Sequence, residues 1–550
     1  MPIVYKQVIF NILLYRHLQN CLYNGLCPKL STNKKKMSSS QSSVLAKNTL
    51  FLYVRLLFNM LISLYSSRLI LNLLGVEDYG IYNAVGGMVS MFSIISGSLS
   101  TSISRNLTFE LGAKNYLKLG KIFSMSINVQ ILIVALIALL AETIGLWFLN
   151  AKMVIPSDRM TAANWIFQFS LATFAIQLLS VPYNASIISH ERMKAFAYIG
   201  IFDVVLKLIA VILLVWSPVD KLVYYGALLL GESLVIQGIY IIYCKKNFDE
   251  CIYHFTKDLT ILKSLFSFAA WNFIGSTSSI LREQGVNILL NLFFGPVVNA
   301  ARAVASQVNA AVNSFVTNFM TALTPQITKA YAHGDYKYLL QCIYRGSKFS
   351  YFLLFFLSLP VLIETDYILK LWLGNVPDTT VWFVRLILLF SLVDTYSRAL
   401  INANNATGDI KIYQIVIGGL NLTVLPIAYV ALKYGARAES TVFITIIVSL
   451  LGLFPRIYFN KKHFPVTYKD FIAKVIIPTV FVSVVGVILP YTIYRILPQN
   501  FFSFLLVVLM SFLSAIIAII VLGVNKEERN IAISFIRKYL HNKKKLNRVH

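Results

Sequence analysis

Apolar residues run along the chain in blocks of about 20, and a helical block of that length crosses roughly 30 Å of hydrocarbon. Charged or Gly/Pro-bearing breaks divide the sequence into fourteen blocks: 48–74, 79–103, 122–149, 162–189, 194–216, 221–243, 264–294, 297–323, 341–363, 380–403, 411–432, 439–460, 473–494 and 501–523. Pro182 interrupts the fourth. The pattern predicts an all-α polytopic membrane protein of about 14 transmembrane helices. An internal repeat sharpens this. Shifted by 220 residues, "LILNLLGVEDYG" meets "LLNLFFGPVVNA", so that Leu69 meets Leu289, Gly75 meets Gly295, Thr101 meets Thr321, Thr108 meets Thr328 and Tyr116 meets Tyr336. The expected organisation is a cytoplasmic tail over 1–47, with 1–36 read as an upstream extension ahead of Met37. A six-helix bundle (48–243), a cytoplasmic linker (244–263) and a second six-helix bundle (264–460) follow. Two additional helices (461–523) and a basic cytoplasmic tail (524–550) complete the chain. Two like bundles facing one another suit alternating access, with a site between them.

The breaks alternate in charge. "SRNLTFELGAKNYLKLGK", "SHERMK", "CKKNFDECIYHFTKDLTILK", "TKAYAHGDYKYLLQCIYRGSK" and "NKKHFPVTYKDFIAK" are basic and follow even-numbered blocks. "GVEDYG", "SPVD" and "ETDYILKLWLGNVPD" are acidic or nearly neutral. The positive-inside rule places the basic set and both termini in the cytoplasm. Trp147, Trp165, Trp216, Trp372 and Trp382 then fall at the outer boundary, as an aromatic belt does.

Composition agrees. The chain of 550 residues is 57% hydrophobic and 13% charged, against about 25% charged in soluble domains, and its mean hydropathy is +0.70. The net charge of +26 is explained by topology, so nucleic acid is not an expected partner. None of the five cysteines forms a CxxC pair, so neither a disulfide framework nor a zinc site is indicated. No phosphate-binding GxxxxGK[ST] loop is present, and "HERMK" lacks the second histidine of a zinc-protease motif. No catalytic constellation can be assembled and no connection is long enough to fold separately, so the chain is not expected to be an enzyme.

Several spans carry polar stripes. In "ARAVASQVNAAVNSF", Arg302, Ser306, Asn309, Asn313 and Thr317 share one helical face. Asn272, Ser276, Ser279, Glu283 and Asn287 do so in the seventh span, and Arg55, Asn59, Ser63 and Ser66 in the first. A mid-span arginine facing lipid costs about 2.5–3.5 kcal/mol, so these stripes face protein or a watery cavity. The second span, with Gly86, Ser90, Ser93, Gly97 and Ser100, reads as a packing surface of small residues. The arginines are graded in depth: Arg55 and Arg398 towards the cytoplasm, Arg282 central, Arg68 and Arg302 outermost. Guanidinium suits phosphate. Asp394 with Arg398, and Asp203 with Lys207, stand at i,i+4 and read as local pairs. The intramembrane acids Glu283, Asp203, Glu232 and Asp394 are candidates for coupling to a proton or sodium gradient; no other cofactor and no metal is expected.

"LGVEDYGIYNAVGGMVSMFS", "SRNLTFELGAKN", "SHERMKAFAYIGIFDVVLKL" and "FFGPVVNAARAVASQVNAAVNSFVTNFMTALTPQITKAYAHGDY" resemble bacterial polysaccharide-biosynthesis flippases of the Wzx (O-antigen translocase) type. That superfamily also holds the MATE exporters and the lipid II flippases. The resemblance covers roughly Val44 to Leu522. It implies a V-shaped pair of bundles in the bacterial cytoplasmic (inner) membrane. It also implies translocation of an undecaprenyl-pyrophosphate-linked oligosaccharide, an O-antigen or capsular repeat unit. Membrane lipids, and the polymerase and glycosyltransferases of the pathway, are the implied partners. From stripe and charge, Arg302, Arg282 and Arg55 are the expected diphosphate ligands, and Asn309, Asn313, Asn272 and Asn287 the sugar ligands. Two alternatives stay open: a MATE-like cation or drug antiporter, whose cavity should be acidic and aromatic, and an integral membrane polymerase or ligase, which should carry a large external loop.

Overall fold

Residues that avoid Pro and Gly for 20 or more positions, with few acids or bases, have one way to satisfy their backbone in lipid, which is a helix. The computed structural model describes residues 30–525, apart from 91, 154, 375, 377 and 378, together with 528 and 529. Among these residues every regular element is a helix. Of the expected tail over 1–47, residues 1–29 lie outside the described residues, as does nearly all of the expected tail over 524–550. Residues 48–524 form one compact unit.

The elements are α1 (Leu30–Ser90), α2 (Ser93–Gly112), α3 (Tyr116–Ala151), α4 (Met160–Ser189), α5 (Met193–Trp216), α6 (Lys221–Asn247), α7 (Leu259–Phe294) and α8 (Pro296–Ala332). They continue with α9 (Tyr336–Ile363), α10 (Thr365–Leu373), α11 (Thr380–Thr407), α12 (Lys411–Lys433), α13 (Ser440–Lys461), α14 (Tyr468–Ile496) and α15 (Phe501–Gly523). Ten are long and apolar enough to cross a membrane: Lys47–Gly75 of α1, then α3, α4, α5, α6, α9, α12, α13, α14 and α15. The other four predicted spans, 79–103, 264–294, 297–323 and 380–403, are also helical in their described residues, with a turn at Phe92 in the first, but are not among the ten. They include the seventh and eighth spans with their stripes of serine, asparagine and arginine, whereas the Arg55 stripe lies in one of the ten. The helix of α4 runs through Pro182.

Position by position, the turns echo one another 220 residues apart. Gly75 (φ 83°, ψ 170°) and Gly295 (φ 80°, ψ −172°) share a conformation open essentially to glycine alone. Lys114 and Gly334 both have positive φ, 58° and 70°. The following residues, Asn115 and Asp335, cap α3 and α9 by accepting from the amides of Lys118 (3.2 Å) and Tyr338 (3.1 Å).

Within the unit, α8 packs chiefly on α11 and α9, α4 on α6, and α14 with α15 on α9. Ala301 and Ala305 of α8 are fully buried against Phe383, Val384 and Leu388 of α11. Small side chains there let the two backbones approach, the principal source of helix–helix affinity in lipid. Helix α2 lies against α7 and α8 and so joins the helices of 48–247 to those of 259–461.

Candidate functional site

Helical spacing brings the polar stripes of α7 and α8 together with polar faces of α11 and α12. Near the Gly295 turn, Arg302 donates through Nη1 to the side-chain oxygen of Asn287 and to the Glu283 carbonyl (3.3 Å). One level further from that turn, Arg282 donates to Asn421 of α12 (2.9 Å) and lies over the Phe390 ring, 5.5 Å from its centre. Asn421 in turn donates to Ser279 (3.4 Å). On the α8–α11 seam, Ser391 donates to Asn309 (2.6 Å), and Asn313 donates to Asn309 (3.1 Å) and Ser391 (3.0 Å). Arg398 then donates to Asn313 (2.9 Å) and Thr317 (3.3 Å), with Asp394 3.6 Å away. Closer to the basic loops, Gln414 of α12 donates to Asn272 (3.5 Å).

Six of the seven expected ligands therefore belong to one interior. Arg302 and Arg282 are electrostatic neighbours and share Glu283. Asn309 and Asn313 serve as interhelical bonds, and Asn313 uses both its oxygen and its nitrogen within the protein. Arg55 lies elsewhere. Its guanidinium stacks 4.1 Å above Phe196 of α5, fits against Gly200 and has Asp203 and Tyr240 as its titratable neighbours. A stripe identifies a helix face, not the helix opposite it, and so Arg55 grouped with the others only by residue type.

Charge separates the two clusters. The cluster around Arg282 holds Arg282, Arg302, Arg398 and Arg456 against Asp394 and the exposed Glu283, four cations less two anions, an excess of two. The Nε atoms of Arg302, Arg398 and Arg456 are buried without partners. Of the intramembrane acids, Asp394 is paired with Arg398 and Glu283 neighbours two guanidiniums. Asp203 is held by Lys207 at 2.8 Å. Glu232 is buried, and its Oε1 has no hydrogen-bond partner.

Sequence reasoning missed Gln414, Asn421, Ser391 and Arg456. A signal existed for two of them: Gln414 and Asn421 are seven apart in an otherwise apolar helix, and so lie on one face.

The described contacts between the helices of 48–247 and those of 259–461 gather at the end that bears the basic loops. There Ser102 donates to the Leu265 carbonyl (2.9 Å) and Arg105 to the Ala406 carbonyl (2.8 Å). Glu191 receives Lys329 (2.8 Å) and Gln326 (3.3 Å). Gly112 sits against Lys329 and Ala332. At the opposite end the described ion pairs stay within each group: Arg159 with Asp78 and Asp220, and Arg385 with Asp366 (2.9 Å). Asp220 is held below the usual carboxylate range: burial pushes it up, but bonds from Arg159 and from the Val223 and Leu222 amides outweigh this.

Residues 45–331 match the model of the family described as "Polysaccharide biosynthesis protein". The chain is 22% identical over 281 residues to "Uncharacterized membrane protein EpsK" of Bacillus subtilis (strain 168), an alignment covering 51% of this chain and 55% of that protein. The chain thus spans about half the length of the curated relative it matches. Solved structures share the fold. One is an outward-facing multidrug resistance MATE family transporter of the MOP superfamily (TM-score 0.64, 13% identity, 76% of this chain and 97% of that chain). Another is a MOP superfamily transporter from Pyrococcus furiosus Vc1 (DSM3638) described by the "reverse polarity" of its binding pocket (TM-score 0.64, 11% identity, 76% and 95%).

Proposed function

Because the chain belongs to the polysaccharide biosynthesis protein family, we propose that it is a flippase carrying an undecaprenyl-pyrophosphate-linked oligosaccharide across the bacterial cytoplasmic membrane. The observation that carries this reading is the excess of guanidinium over carboxylate in the α7–α13 interior. In a medium of low dielectric such an excess repels itself strongly and is relieved by a bound anion. A diphosphate supplies two phosphoryl groups whose oxygens accept from guanidinium in pairs. Arg302 and Arg282 receive it, each holding one amide partner that orients it and keeping further N–H groups unspent. Asn287, Asn309 and Asn272 lie along the same interior for sugar hydroxyls, while the polyprenyl chain stays in lipid.

The basic-loop end faces the cytoplasm by the positive-inside rule. Closure at that end corresponds to the state in which the cargo leaves towards the outside. Return to the loading state requires the bonds at Ser102, Arg105 and Glu191 to part. Glu232 with Asp203, the acids not committed to the arginine cluster, bind the coupling proton or sodium ion.

Proteoliposomes containing the protein test the reading against a cation exporter by offering both cargoes. The proposal expects transfer of a fluorescent undecaprenyl-pyrophosphate oligosaccharide and no ethidium efflux. Ethidium efflux without lipid transfer overturns it.

A further inference from the structure

At the basic-loop end, where α2 meets α7, two cavities adjoin. One of about 390 Å³ is lined by Asn106, Lys118, Lys121, Thr260 and Ser264. The other, of about 410 Å³, is lined by Arg105, Asn106, Ser264, Ser267, Trp271 and Lys411. Asn106 and Ser264 belong to both, so the two form one groove. Neither the arginine cluster nor the acids described above reach into it.

Three features make this groove more than a basic surface. First, the groove is positively charged. Lys118 is neutralised by Glu110 at 2.6 Å, but Lys121, Lys411 and Arg105 remain. Asp258, which caps the first turn of α7 and is an electrostatic neighbour of Lys121, and Asp409, 3.9 Å from His463, lie on the same lining, so three cations meet two carboxylates and the excess is one. Second, Arg105 is incompletely used. It lies over Phe109 with its guanidinium carbon 4.7 Å from the ring centre and donates to Asn106 (3.1 Å) and Ala406, yet its buried Nε has no partner. Third, Trp271 is the one tryptophan outside the belt at the opposite boundary, and it lines the groove with the Lys411 ammonium 5.2 Å from its ring. Tryptophan favours the headgroup level of a bilayer. Span ends near 103, 264 and 411 put Asn106, Ser264 and Lys411 at that level too.

We propose that this groove is a receiving site for the diphosphate headgroup of a membrane lipid, separate from the Arg302 cluster; the proposal rests on the flippase reading above. Cations at Lys121, Lys411 and Arg105, with hydroxyl and amide donors at Ser264, Ser267 and Asn106 between them, match an anion with oxygens on two phosphorus centres better than one with a single phosphate. Binding also bears on the closed end. A diphosphate beside Arg105 competes with the neutral Ala406 carbonyl for the same guanidinium, and charge-assisted bonds are the stronger. Loading the groove therefore loosens one of the bonds that hold that end shut.

The test uses the full chain in phosphatidylcholine nanodiscs and equilibrium binding of radiolabelled farnesyl diphosphate. Lys121→Ala with Lys411→Ala should weaken one class of site by roughly tenfold or more, and Lys121→Arg with Lys411→Arg should retain it. Arg302→Gln should leave that class intact; binding by wild type that transfers no lipid would sink the flippase reading and not the site. Inorganic diphosphate should compete, which assigns recognition to the headgroup. Unchanged binding in the double alanine variant overturns the proposal. So does equal competition by phosphatidylglycerol, which would make the groove a general anionic-lipid site.

Discussion

Replacing Gly112 with alanine should open the seam at the basic-loop end. A Cβ there would stand 3.0 Å from the Ala332 Cβ and 3.0 Å from the Lys329 Cα, with the Lys329 Cβ at 3.4 Å. Ordinary carbon contacts lie at roughly 3.5–4.0 Å, and one of these neighbours is backbone, so α2 and α8 must separate by about half an ångström or more. Overpacking of this kind costs about 1–3 kcal/mol. The helix-propensity gain of alanine over glycine is present in both the closed and open arrangements and cancels between them. The steric cost falls on the closed arrangement alone, because the contact ceases once that end parts. A difference of 1–3 kcal/mol shifts the ratio of the two states about 5- to 150-fold. Spin labels at Leu117 and Tyr336, exposed positions in the two helix groups, read this as a longer-distance population by double electron–electron resonance. Gly120→Ala, with open space around its Cβ, is the control. A distance distribution for Gly112→Ala that matches wild type would refute the reasoning.

Three further outcomes are expected. Glu191→Gln and Lys329→Gln should each weaken the same closure by about 1.5–3 kcal/mol, and the charge-swapped pair Glu191→Lys with Lys329→Glu should restore part of it; the same spin-label distances decide, and a swap no better than either single change would remove the ion pair from the account. Gly75→Ala and Gly295→Ala, sharing a backbone conformation closed to alanine, should each cost about 1–3 kcal/mol and lower the melting temperature alike; a large loss at one and none at the other would break the 220-residue equivalence. Asp220, ordinarily near 3.8, has its folded value depressed. Its contribution is therefore present above that pH and lost as pH falls through the folded value, so the melting deficit of Asp220→Asn should be full at pH 7 and shrink below about pH 4. A deficit independent of pH would contradict the Arg159 pairing.

The fold was legible because lipid imposes length and apolarity on a span, and the described residues of the fourteen predicted blocks are helical but for isolated turns. What the blocks understated was length. The predicted 297–323 stops nine residues short of the end of α8, Pro296–Ala332, because polar helical turns beyond the hydrocarbon carry no apolar signal. Local pairs were legible as well: Asp203 with Lys207 and Asp394 with Arg398 meet at i,i+4 whatever surrounds them. The partnership of Arg302 with Asn287 was not, since it depends on the phase at which α8 leaves the Gly295 turn. Nor was the separation of Arg55 from the cluster, which is decided by how α1 packs on α5. The seam contacts at Arg105, Gly112 and Glu191 fall in stretches that the sequence presents as loops between spans, although the first two are helical.

The measurement closest to the central claim is leaflet transfer of a fluorescent undecaprenyl-pyrophosphate oligosaccharide in proteoliposomes, comparing wild type with Arg302→Gln of equal melting temperature. Transfer by wild type that falls roughly tenfold or more in Arg302→Gln, the loss of a charge-assisted phosphate contact, is what the account predicts. Transfer at the same rate by both would contradict it, leaving Arg302 as a support for Asn287 and the anion to be carried elsewhere.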